Sequence, residues 1–115
     1  MPVEHNFQDK IKWVQDTMYV IGGKWKLAII ISVYHGNKRF NDILTSIPRI
    51  TNRVLSQELK HLEENLLIKR SIVSESPIKI EYCLTSYCHS ITDVLVAMEK
   101  WGKQHREKVK TKRAP

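Results

Sequence analysis

The stretch ITNRVLSQELKHLEENLL, Ile50 to Leu67, decides how the rest of the chain is read. Leu55, Leu59, Leu62 and Leu66 recur at helical spacing and define one apolar face. Thr51 suits the N-cap, where its hydroxyl accepts a backbone N–H that the first turn leaves free. Ile50 before the cap and Leu55 after it have the spacing of a hydrophobic staple. Pro48 ends any preceding helix, because the residue before a proline is pushed out of the α region. Away from the leucines stand Asn52, Arg53, Ser56, Gln57 and Lys60. Such side chains hydrogen-bond base edges and phosphates, and no acid interrupts them. Glu58 lies to the side, and Glu63 and Glu64 come at the far end. A DNA-recognition helix fits this pattern. A solvated helix face is the bland reading, although such a face more often mixes both signs.

Upstream, Phe40, Ile43, Leu44 and Ile47 make a short helix, with Asn41 expected as its cap. Two short helices joined by about four residues form a helix-turn-helix. Asn37 to Phe40 reads as a polar link with room for a two-residue strand. Lys24 to Tyr34, KWKLAIIISVY, is apolar nearly all round, as a buried helix is. Its three isoleucines also suit a buried strand, but its length, Ala28 and the following Gly36 favour helix. Trp25 is expected in the core. Gly22-Gly23 separates this segment from a first helix at about 6–21, where Phe7, Ile11, Val14, Met18 and Ile21 keep a/d spacing.

Downstream, the period changes. Ile68 to Val73 and Lys79 to Leu84 alternate as half-buried strands do, around a turn at Ser74 to Ile78 that contains Pro77. Strands that follow a helix-turn-helix form a wing, with Lys69 and Lys79 placed for phosphate or the minor groove. Thr85 is expected to cap a last helix at about 86–108, striped by Ile91, Leu95, Met98 and Trp101 and thickened by Val94. Few elements remain to cover that stripe. It therefore suits a dimer surface, shared with Phe7, Ile11 and Val14 of the first helix. Packing within the chain is the competing role for the first helix.

The expected fold is mainly α with a two- or three-stranded β wing, a single winged-helix domain over residues 1–115. The length of 115 residues suits one core. The net charge of +7 is unevenly spread. Residues 100–115 hold seven basic side chains against Glu107, and a basic tail is placed at about 103–115. That tail is either a solvated helix end or an added nonspecific attraction for phosphate. Lys38 to Lys60 carries Lys38, Arg39, Arg49, Arg53 and Lys60 against Asp42 and Glu58, a local excess where DNA contact is expected. The DNA-contact set is Arg39, Thr51, Asn52, Arg53, Ser56, Gln57, Lys60 and Lys79.

No apolar run reaches the ~18 residues of a membrane span, and MPVEHNFQDK has no signal core. A cytoplasmic protein is expected. Cys83 and Cys88 fit neither a disulfide framework nor a zinc pattern. They are expected to be reduced thiols. Cys88, in the first turn after Thr85, is a candidate for redox chemistry through a lowered pKa. Cys83 is the second candidate, and inert packing is the simpler role for both. His5, His35, His61, His89 and His105 are scattered without a metal spacing. No P-loop or dinucleotide motif occurs, and Gly22-Gly23 reads better as a tight turn than as an anion site. A Cys83–Cys88–His89 metal site is disfavoured. No cofactor and no catalytic residue is assigned.

The blocks GGKWKLAII at 22–30, RFNDI at 39–43 and P-x-K-I-E-Y-x-L-T at 77–85 resemble the HxlR-type transcriptional regulators. So do the Ile50–Glu63 pattern and Trp101-Gly102. The resemblance runs over residues 12–102. It implies a bacterial, dimeric winged-helix regulator that binds double-stranded DNA. It also implies dimer contacts on the first and last helices, with Asn52, Arg53, Ser56, Gln57 and Lys60 in the major groove. Many members carry an oxidant- or electrophile-sensing cysteine ahead of the Gly-Gly-Lys-Trp block, and Lys12 stands at that place here. Cys88 replaces a residue that is commonly glycine. The expected function is sequence-specific regulation as a homodimer on a pseudo-palindromic operator, with an unknown effector. A winged helix that binds protein instead would carry apolar or acidic side chains on the recognition face.

Overall fold

The helix Lys26–Tyr34 (α2) is the centre of the fold, and its isoleucines explain why. Ile29, Ile30 and Val33 are buried in one cluster with Ile43, Leu55, Leu59, Leu62, Leu67 and Ile68. A computed structural model describes residues 6–113. Residues 1–5 and 114–115 lie outside them, and with them His5 and the two ends of the expected domain and basic tail. The element order is α1 (Phe7–Ile21), α2, α3 (Phe40–Ser46), α4 (Asn52–Glu64), β1 (Ile68–Glu75), β2 (Ile78–Leu84), a 3-10 helix (Tyr87–Ile91) and α5 (Thr92–Arg113). This is a winged helix-turn-helix fold, mainly helical, with a two-stranded antiparallel wing.

Local chemistry accounts for the boundaries. Asn6 Oδ1 accepts the Asp9 N–H at 2.8 Å and caps α1. At the other end a Cβ on Gly22 would collide with the Met18 carbonyl oxygen, and Gly23 adopts φ +87°. The paired glycines are therefore a tight turn. The helix α2 starts two residues later than its sequence suggests, with Trp25 at the N-cap and half-buried against the core. Ser32, buried on α2, is satisfied by the Ser46 hydroxyl at 2.6 Å and the Asn37 amide at 3.1 Å. That bridge pins α2 to α3.

Three expectations are corrected. Asn41 does not cap α3, because Arg39 occupies that position without a side-chain cap and Asn41 lies inside the helix. The segment before α3 is not a third strand. It meets the wing through the Tyr82 N–H, which donates to the Lys38 carbonyl at 2.7 Å. Thr85 does not cap α5 directly. Its Oγ1 accepts the Cys88 N–H at 3.1 Å and opens the 3-10 helix, so α5 begins at Thr92.

The wing is longer and its turn tighter than the sequence suggests. The pairing runs from Ile68↔Leu84 to Glu75↔Ile78, leaving only Ser76-Pro77 in the turn. The register shifts between Ile72 and Ser74, a β-bulge at Val73.

Two helices project from the body. In α1 only Ile21 is buried, while Phe7 is 76% exposed and Ile11, Val14 and Met18 are exposed too. The radius of gyration is 17.5 Å, against about 13 Å for a compact chain near this length.

Candidate nucleic-acid interface

The candidate interface starts in the turn before α4. The Ile50 N–H points back to the Ile47 carbonyl at 3.5 Å, with Pro48 and Arg49 between them. Arg49 has φ +70°. Proline at the second position and a left-handed residue at the third describe a type II turn. Thr51 then fulfils its expected role: its Oγ1 accepts the Val54 N–H at 3.2 Å.

From that cap the helix divides into arcs. At 100° per residue, Leu55, Leu59 and Leu62 occupy roughly 60° of the circumference, and all three are buried. Asn52, Arg53, Ser56, Gln57 and Lys60 span roughly 140° and are all exposed. Glu58 falls outside that arc and pairs with Lys26 of α2 at 2.7 Å. Leu66, expected in the apolar face, is instead exposed beyond the helix end, with φ +66°. The Leu67 N–H bonds the Leu62 carbonyl and the Leu66 N–H bonds the Glu63 carbonyl, both at 3.0 Å. This is a Schellman close, and it turns Leu67 rather than Leu66 into the core.

Thr85 ties the wing to this helix end, its hydroxyl donating to the Leu66 carbonyl at 2.6 Å. Lys69 sits opposite Cys83 at the wing base, and Lys79 opposite Ser74 near the tip. Alternation sets Lys69, Lys79, Glu81 and Cys83 on one face. Glu81 therefore dilutes the positive charge between the two lysines. Lys79 is exposed, as are Arg39 and Arg49 beside the helix-turn-helix. Arg49 belongs to the basic excess expected near DNA but not to the named contact set, and the turn before α4 leaves its side chain exposed.

The dimer candidates fall into two groups. Met98 and Trp101 are exposed, Trp101 at 65%, with its ring stacked on His105 at 4.8 Å. Ile91 packs against the core, and Leu95 faces a cavity shared with α2. One stripe in sequence thus has an inward and an outward edge.

The cysteines also separate. Cys83 is exposed, whereas Cys88 is 3% exposed in the core. Burial pushes the Cys88 thiol above its ordinary value, opposite to the expected lowering. The helix end expected to stabilise a thiolate is a short 3-10 turn, and desolvation dominates. Among the described residues no group of three or more His, Cys, Asp or Glu side chains is placed to hold a metal ion. No helix among them is long and apolar enough to cross a membrane.

The HxlR-like helix-turn-helix family model matches residues 20–110. The chain belongs to the HxlR family of winged helix-turn-helix transcriptional regulators. It is 38% identical over 96 residues to the HTH-type transcriptional regulator YtcD of Bacillus subtilis (strain 168), covering 84% of this chain and 76% of the relative. It is 41% identical over 85 residues to an HTH-type transcriptional regulator of Methanothermobacter thermautotrophicus, covering 74% of this chain and 65% of the relative. Among solved structures, the redox regulator HypR in its reduced form superposes with a TM-score of 0.78 at 34% identity, over 85% of this chain and 97% of that one. HxlR proteins are DNA-binding regulators and not enzymes, in keeping with a site of exposed hydrogen-bonding side chains on a helix. The match begins at Val20, so most of α1 lies outside it.

Proposed function

We propose that this HxlR-type regulator acts as a homodimer on a pseudo-palindromic operator, as one winged-helix unit with dimer helices at its two ends. The observation that carries the reading is the exposed arc Asn52, Arg53, Ser56, Gln57 and Lys60, free of acids until Glu63 and Glu64 enter it at the end of the helix. Two such helices in successive major grooves stand about 34–36 Å apart. Arg53 and Gln57 reach base edges, because bidentate guanidinium and carboxamide groups match guanine and adenine. Asn52, Ser56 and Lys60 extend the contact along the groove, and Arg39, Thr51 and Lys79 hold phosphates on either side. The dimer forms through Phe7, Ile11 and Val14 of α1 and through Met98 and Trp101 of α5, with Ile91 and Leu95 along the inner border. Basic side chains late in α5 add nonspecific attraction. The protein works in the cytoplasm.

The test compares operator and random DNA. Arg53→Ala or Gln57→Ala should cost ~1–3 kcal/mol on the operator and much less on random sequence. Equal losses on both would make these residues phosphate contacts and remove the base-reading role.

A further inference from the structure

A cavity of about 240 Å³ opens between α2, the end of β2 and the start of α5. Ile30, Ile31, Leu84 and Leu95 supply apolar wall, and the buried Cys88 lines its inner side. His35 and Glu99, both exposed, stand at the mouth. The volume lies between the ~150 Å³ of an apolar hole that holds benzene and the ~300 Å³ where drug-sized pockets begin. One or two fused rings fit that interval. An apolar wall with a few polar groups at one edge is the usual build of a small-molecule site.

The lining also selects the ligand. A charged molecule would lose its hydration against the aliphatic part of the wall, whereas Tyr34, His89 and Thr92, which also line the cavity, can hydrogen-bond a neutral one. Burial keeps the Cys88 thiol protonated, so that side of the cavity is neutral at ordinary pH. The Glu99 carboxylate at the mouth repels anions and accepts from a hydroxyl or N–H. We propose that the cavity binds a small uncharged aromatic with one hydrogen-bond donor, of the phenol, naphthol or indole kind.

The position gives such a ligand a route to the DNA. One wall is α2, which is ion-paired to the recognition helix through Lys26 and Glu58. The other is α5, which carries the proposed dimer surface. A ring wedged between them sets the angle of the reading helix to the dimer axis, and so the spacing of two reading helices. This regulatory half rests on the dimeric operator reading above, and the binding half does not.

The experiment titrates 2-naphthol into the full chain without DNA, followed by naphthol fluorescence and by methyl NMR. Saturable binding with a Kd below about 1 mM is expected. Methyl signals of Ile30, Ile31, Leu84 and Leu95 should shift. Val96 lines the cavity from a position 55% exposed. Val96→Trp should block the mouth and weaken binding at least about tenfold. The methyl shifts need no variant and decide the matter if Val96→Trp fails to fold. No saturation by about 1 mM, shifts elsewhere, or undiminished binding to folded Val96→Trp overturns the site. Binding that fades as protein concentration rises means that a second copy fills the cavity, and also overturns it. Saturating naphthol should change operator affinity at least about threefold, a modest allosteric coupling. Binding without that change overturns the regulatory half alone. Failure of the unliganded protein to bind an operator overturns the DNA reading and leaves the site standing.

Discussion

Lys26 Nζ stands 2.7 Å from Glu58 Oε2, with side chains 13% and 24% exposed, and this pair joins the central helix α2 to α4. Removing one partner leaves a partly desolvated charge behind. Glu58→Gln should therefore cost about 1–3 kcal/mol of stability, between a surface pair and a fully buried one. The double change Lys26→Met with Glu58→Leu should recover most of that loss. Urea unfolding of the wild type, Glu58→Gln and the double variant measures both numbers. A loss under about 0.5 kcal/mol would class the pair with exposed ones.

The wing prediction follows from its register. Lys79 near the tip should meet phosphate, and Lys69 at the base should matter less. Lys79→Ala should weaken operator and random DNA alike and lower the salt slope by about one unit. Glu81→Gln should strengthen both, since it removes the acid between the two lysines. Fluorescence anisotropy at several salt concentrations reads the slope. An unchanged slope in Lys79→Ala would keep the wing off the DNA.

Periodicity made much of this fold legible. Leu55, Leu59 and Leu62 are buried where their spacing puts them, and the two alternating segments pair as a wing. Thr51 caps through the bond its side chain favours. What escaped the sequence are conformations that the residue types disfavour. Leu66 and Arg49 both hold positive φ, where glycine is at ease and a side chain costs about 1–2 kcal/mol. Leucine at helical spacing reads as one more face residue, and only the Schellman bonds from Leu66 and Leu67 reveal the helix end. Asn41 likewise looks like a cap, but the chain turns helical one residue earlier, at Phe40. For the candidate site, residue type and spacing nominate the exposed arc of α4. They do not distinguish Leu95 from Met98, because one helical stripe can face two neighbours at once.

The two thiols should react very differently. Cys83 is exposed and Cys88 is buried, so a thiol reagent should modify native protein once per chain, at Cys83. Cys88 should react only as the protein unfolds. Its folded pKa is raised above the ordinary 9.0 by burial. The neutral thiol therefore contributes stability that is fully present below the unfolded value. That contribution is lost as pH rises from about 9 through the folded value. Wild type should lose stability relative to Cys88→Ala across that window, and unfolding at pH 7 and pH 10 measures the difference. Rapid native labelling of Cys88 would contradict the buried thiol. If a thiol reagent releases the operator, Cys83→Ser should abolish release and Cys88→Ser should not.

The two edges of the α5 stripe lead to separate outcomes. Met98 and Trp101 are exposed, as is Phe7 on α1. Burying each in a two-fold interface is worth ~1.5–3 kcal/mol, and symmetry supplies every contact twice. Met98→Glu sets two like charges in that interface. It should yield a monomer that keeps its helix content and its unfolding midpoint as a chain but loses most operator affinity. Leu95→Glu is a different lesion, because Leu95 faces the cavity opposite Ile30 and Ile31. Its carboxylate would be held against aliphatic wall, so this variant should lose intrinsic stability as well as dimer. Light scattering after size exclusion gives the masses, and urea unfolding of the monomeric fractions separates the two effects. A wild type that is monomeric at micromolar concentration yet binds its operator tightly would rule out this interface. A Met98→Glu protein that unfolds like Leu95→Glu would mean that both edges of the stripe serve the domain's own core, leaving Phe7, Ile11 and Val14 of α1 as the dimer surface.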